Sequence, residues 1–132
     1  MENQSKESTA KETDLVSLKL EDGILYGSYK PTHVTLKLFK QMLEDRLTYT
    51  QGGIYPLFAD CRRYERVERD AWEFMAGKEG CKDLTAVAFL INSPVQKVIY
   101  NIYFSLMPPI IPVRSFTNAE AGIVWLKKYR VS

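Results

Sequence analysis

Residues 84–91 read LTAVAFLI, an almost uniformly apolar run, and Asn92-Ser93-Pro94 follow it at once. A strand with one wet face alternates apolar and polar residues. A strand without that alternation is buried on both faces, as in the middle of an α/β sheet. Serine then supplies a side-chain acceptor for a helix start, and proline suits the first helical position. So this stretch predicts an interior strand running directly into a helix.

The rest of the chain fits around that unit. Leu15–Leu20 alternates as a half-buried strand, Glu21-Asp22-Gly23 is a turn signal, and Ile24–Tyr29 resumes as a second strand, giving a β-hairpin. Pro31-Thr32 is expected to open a helix to about Tyr49, with Leu36, Phe39, Leu43 and Leu47 on one stripe and His33 in the first turn. Gln51-Gly52-Gly53 ends it. Tyr55–Cys61 reads as an interior strand, residues 62–67 as a polar loop, and residues 68–79 as a second helix. The helix after Pro94 is expected to run to about Met107, where Pro108-Pro109 stops it. Pro112–Phe116 reads as a short strand. Thr117-Asn118-Ala119-Glu120 reads as a capping box for a last helix that carries Ala121, Val124, Trp125 and Leu126. The predicted order is ββαβαβαβα, an α/β fold with a mixed sheet, an N-terminal hairpin and helices covering the sheet. Residues 1–13 are polar and aperiodic and are expected to be a disordered tail, leaving 14–130 as a single domain.

Composition narrows the function classes. The 132 residues are 45% apolar, enough for a core, and the net charge of +2 is too small to argue for nucleic acid. The one basic cluster, Arg62, Arg63, Arg66 and Arg69, is interrupted by Glu65 and Glu68 and followed by Asp70. No apolar run approaches the ~20 residues of a membrane span. The first residues lack the apolar centre of a signal peptide, and two cysteines make no disulfide framework, so a cytoplasmic location is expected. With one histidine, His33, no metal site is expected, and no cofactor. Cys61 precedes Arg62-Arg63, which could favour a thiolate, but no base accompanies it; Cys61 and Cys81 read as small buried hydrophobes. Gly52-Gly53 lacks the lysine of a phosphate loop. No catalytic set assembles, and the chain is not expected to be an enzyme.

Four features of the last third carry a family resemblance. These are Ser93-Pro94 after a strand, an aromatic helix with Asn101 and Tyr103-Phe104, the strand motif Pro112-x-Arg114-x-Phe116, and the closing Ala121-x-x-x-Trp125-Leu126. Together with the element order they resemble the STAS/SEC14-like domains, in particular the SpoIIAA-like group of small bacterial proteins with the anti-anti-sigma-factor fold. The topology covers about residues 14–130 and the motifs only the last third. Relatives of that kind are regulated by phosphorylation of a serine in a turn after the end-of-strand aspartate. Counting on from Asp60, the matching turn here is about Glu68-Arg69-Asp70-Ala71, with Arg69 at the serine position. No Ser or Thr lies between Asp60 and Lys82. The resemblance therefore implies the fold without the phosphoswitch.

The helix after Pro94 is the functional candidate. Lys97, Asn101 and Ser105 make one polar stripe, and apolar residues fill about two-thirds of the circumference, more than the ~100° arc one sheet covers. The surplus predicts a further contact: packing within the chain, a homodimer, or an apolar ligand or membrane surface. Tyr100, Tyr103, Phe104, Met107 and Ile110 are the candidate interaction or ligand surface, and Asp60, Arg62 and Arg69 a candidate polar turn. The expected function is a non-catalytic regulatory or protein-interaction module that self-associates as a homodimer. The alternative is a small lipid or apolar-ligand binding protein.

Overall fold

The computed structural model describes residues 9–131. The strands are β1 Lys11–Glu12, β2 Val16–Glu21, β3 Ile24–Tyr29, β4 His33–Val34, β5 Tyr55–Asp60, β6 Arg66–Val67, β7 Leu84–Leu90 and β8 Val113–Phe116. The helices are α1 Leu36–Thr50, α2 Arg69–Ala76, α3 Pro94–Leu106 and α4 Ala119–Lys127. Six strands form one sheet in the order β1-β2-β3-β5-β7-β8, and β4 pairs with β6 in a separate two-stranded ribbon.

The hairpin forms as its sequence dictates. Asp22 and Gly23 both take positive φ, 54° and 74°, the left-handed pair of a type I′ turn. β2 and β3 are antiparallel, and β3, β5, β7 and β8 are mutually parallel. β7 lies between β5 and β8 and is buried on both faces, as its unbroken apolar run requires. Its Val87 and Phe89 point into the larger core, which α1, α2 and α3 cover. Its Ala86, Ala88 and Leu90 point into a smaller core, closed by Leu126 of α4.

Several local expectations are corrected. Residues 1–8 of the expected tail lie outside the described residues. Lys11 and Glu12 are an edge strand, paired with Leu18 and Ser17. Polar bonds hold this segment. Ser17 Oγ donates to Glu12 at 2.7 Å, Lys30 Nζ bonds both Glu12 and the Thr13 carbonyl, and Tyr49 Oη donates to the Thr9 carbonyl at 2.6 Å. Bonds of this kind leave no apolar periodicity to read. α1 starts at Leu36, because Thr35 accepts the Leu38 N–H at 3.1 Å and so caps the helix. The residues before it, His33 included, pair with β6 instead. On α1 the buried line is Met42, Arg46 and Thr50, rotated from the expected leucine stripe. α4 is capped by Asn118, which accepts the Ala121 N–H at 2.8 Å, one residue later than the capping box implied. Its Val124 is exposed, and Gly122 and Leu126 are buried.

The turn between α2 and β7 leaves no room for a side chain at Gly80. A Cβ there would meet the Phe74 carbonyl at 2.3 Å and the Met75 Cα at 2.7 Å. Gly80→Ala should therefore force backbone movement and destabilise the chain by about 2–3 kcal/mol, read as a lower urea midpoint at unchanged slope.

Candidate functional site

α3 is anchored at both ends. Ser93 Oγ accepts the Gln96 N–H at 3.3 Å, with Pro94 next in the chain, as the sequence predicts. The Gln96 amide then bridges backward. Its Oε1 accepts the Asn92 N–H at 2.8 Å and its Nε2 donates to the Tyr64 carbonyl at 3.3 Å. Asn92 Nδ2 donates to the Arg62 carbonyl at 2.6 Å. After the helix, the Ile110 N–H donates to the Ala76 carbonyl at 3.1 Å, tying the following loop to the end of α2.

Trp72 of α2 sets the rotation of α3. Its ring stacks on Tyr103, with centroids 5.0 Å apart and planes 7° from parallel. Tyr100 and Phe104 meet it edge-on at 5.0 and 5.6 Å, and Phe89 of β7 closes the group at 6.4 Å. Edge-to-face and offset pairs of this kind add to the gain from area burial. The predicted surface Tyr100, Tyr103, Phe104 and Met107 consequently turns inward. Tyr100 is 6% exposed and the other three are half-buried against the larger core. Of that set only Ile110 stays outside, at 62% exposure.

The outward face belongs to other residues. Val95, Val98, Ile99, Ile102 and Leu106 are 44–72% exposed and recur every three or four residues, so they form one row. The polar stripe Lys97, Asn101 and Ser105 makes a third, exposed side, and Asn101 Oδ1 accepts a bond from Ser115 Oγ at 3.3 Å. Helical spacing alone could have found the aliphatic row. What the sequence does not carry is which of the two apolar arcs meets Trp72.

Beneath α3 lies a cavity of about 60 Å³, walled by Met42, Leu57, Val87, Phe89, Phe104 and Met107, with Arg46, Cys61 and Tyr64 also reaching it. It is smaller than the ~150 Å³ apolar cavity that takes benzene. Burial, and secondarily the charge of Asp60, pushes the Cys61 thiol well above its usual range, away from a nucleophilic thiolate. Arg46 is 4% exposed. It donates to the main-chain carbonyls of Lys82 at 2.8 Å and Gly80 at 3.3 Å, which ties α1 to the turn before β7.

The polar turn is brought together only in part. Asp60, at the end of β5, receives both prongs of the Arg62 guanidinium at 2.8 and 2.9 Å, and the Arg62 N–H at 3.2 Å. Partial burial acts to raise the Asp60 pKa, but the Arg62 bonds and the Arg62 and Arg63 charges outweigh it and hold the carboxyl below its ordinary range. Arg69 opens α2, is exposed, and pairs with Glu73 one turn on at 3.5 Å. His33 Nε2 contacts Glu68 at 2.5 Å at the α2 start. Among the described residues no three of His, Cys, Asp and Glu are placed to hold a metal ion, and no helix is long and apolar enough to cross a membrane.

The family described as "Domain of unknown function (DUF7793)" matches residues 18–130. Among curated proteins none matches the sequence. The fold is similar to the crystal structure of an uncharacterized protein of the DUF3478 family, with a SpoIIAA-like fold, from Shewanella loihica PV-4. The TM-score is 0.60 at 15% identity, over 88% of this chain and 98% of that one. The fold is thus SpoIIAA-like, a mixed six-stranded sheet with four helices, as the sequence resemblance implied.

Two substitutions separate the ties described above. Arg46→Met should leave the buried Gly80 carbonyl and the partly buried Lys82 carbonyl without their donor and destabilise by about 2–3 kcal/mol, measured by urea unfolding. Asp60→Asn should remove a pH-dependent increment of stability. A carboxyl whose folded pKa lies below its unfolded one adds stability above the unfolded value, near pH 4, and loses it as pH falls through the folded one. Because Arg62 is open to solvent, the increment is at most about 1 kcal/mol. The native chain should lose it as pH falls below about 4, and the variant should lack it at every pH.

Proposed function

We propose that this chain, which belongs to the DUF7793 family, is a non-catalytic protein-interaction module that self-associates, with the outward face of α3 as its contact surface. The observation that carries the reading is the row Val95, Val98, Ile99, Ile102 and Leu106. These five aliphatic side chains stand in solvent on a helix whose aromatic side is already satisfied by Trp72. Together they expose on the order of 500 Å² of contiguous apolar surface, in the range where patches on monomers are often functional. A buried, proton-retaining Cys61 and an Asp60 neutralised by Arg62 support the non-catalytic side of the reading. The fold accords with a regulatory role in the cytoplasm, without the serine phosphoswitch at Arg69.

The cavity does not favour the lipid-carrier alternative. Its ~60 Å³ holds no acyl chain unless α3 and α1 part.

Light scattering after gel filtration tests the reading. The native chain should move from monomer toward dimer across the micromolar range. Ile102→Glu should remain monomeric, with an unfolding free energy within about 0.5 kcal/mol of the native one, because residue 102 is half in water already. A native chain that stays monomeric removes self-association. A dimer that ignores Ile102→Glu removes the α3 surface.

A further inference from the structure

The exposed row on α3 has a symmetry of its own. Four of its five members fall evenly about a point between Tyr100 and Asn101: Val95 and Leu106 lie equally far on either side, and so do Ile99 and Ile102, while the fifth, Val98, lies on one side only. Those four positions are complementary to their own reverse. We propose that the occupant of this face is a second copy of the chain, its α3 packed antiparallel across a two-fold axis at residues 100–101. Val95 then meets Leu106 of the second copy, and Ile99 meets Ile102. This rests on the interaction reading above and specifies its partner.

Charge and side-chain type favour this occupant over a lipid surface. Lys97 is the helix's single charged residue, and it lies off the row on the polar side. In the antiparallel arrangement the two Lys97 side chains fall toward opposite ends of the contact, so like charges do not meet. A helix lying in a membrane interface carries several cations and presents aromatics outward. Here Tyr100, Tyr103 and Phe104 face the protein interior. β-branched and leucine side chains at three- and four-residue spacing are what a facing helix accepts between its own ridges. Two such rows bury up to about 1,000 Å² in total, the lower limit for a specific interface, which places the dimer in the weak, reversible class. Ile110, exposed just beyond the helix, extends the apolar surface at the Leu106 end.

Single cysteines on the surface read the arrangement directly in the full chain, because Cys61 and Cys81 are buried. Across the axis, the two copies of residue 99 are displaced by about 4.5 Å along the helices, and the two copies of residue 95 by about 16 Å. With a short bismaleimide, Ile99→Cys should give covalent dimer. Val95→Cys alone and Leu106→Cys alone should not, and an equimolar mixture of those two should. The native chain gives the background. Covalent dimer from Val95→Cys alone means parallel helices and overturns the proposal. So does a dimer, sensitive to Ile102→Glu, that cross-links at none of these positions; in both cases the interaction reading stands. A monomer that co-sediments with phosphatidylglycerol vesicles overturns both.

Discussion

The orientation of α3 depends on Trp72. A helix with two apolar arcs can be laid on a sheet in two ways. The indole decides between them by stacking on Tyr103 while Tyr100 and Phe104 close on its edges. The flat aromatic arc matches a flat partner. The aliphatic arc, left over, faces water. Trp72 sits on a helix of only eight residues, and α2 in turn is held by β7 through Phe89 and by the loop contact of Ile110 with Ala76. The outward face of α3 is therefore a product of the larger core.

The same division explains why the two faces of the sheet differ. Three helices cover one face, and α4 alone covers part of the other. β7 answers with large residues, Val87 and Phe89, toward the thick layer, and with Ala86 and Ala88 toward the thin one, where α4 approaches closely through Gly122 and Leu126. Polar groups are kept at the carboxyl end of β5, where Asp60, Arg62, Asn92 and Gln96 tie the loop to the start of α3. These contacts position the start of the helix.

The sequence reveals the parts of this fold whose causes are local. The LTAVAFLI run, the Asp22-Gly23 turn and the Ser93-Pro94 cap each act within a few residues, and each stands where the sequence places it. β1, β4 and β6 do not show in the sequence, because each is only two residues long, β1 is held by polar bonds, and β4 and β6 find each other across a long stretch of chain. The sequence shows the excess of apolar residues on α3. It does not show which arc is exposed, since Tyr and Phe look like outward residues until Trp72, more than twenty residues earlier, is known to lie against them. Of the polar turn, Asp60 and Arg62 join, and Arg69 pairs elsewhere.

Arg46 also sets how the chain responds to solvent conditions. Its guanidinium is held by two peptide carbonyls, and neither the cation nor those acceptors change charge anywhere in the range where proteins fold. Because the group is buried, dissolved ions screen it far less than the exposed pairs at Lys19–Glu21 or Arg69–Glu73. The joint between α1 and the turn before β7 therefore depends less on ionic strength than those surface pairs do. The surface pairs loosen in salt while the floor beneath α3 keeps its shape.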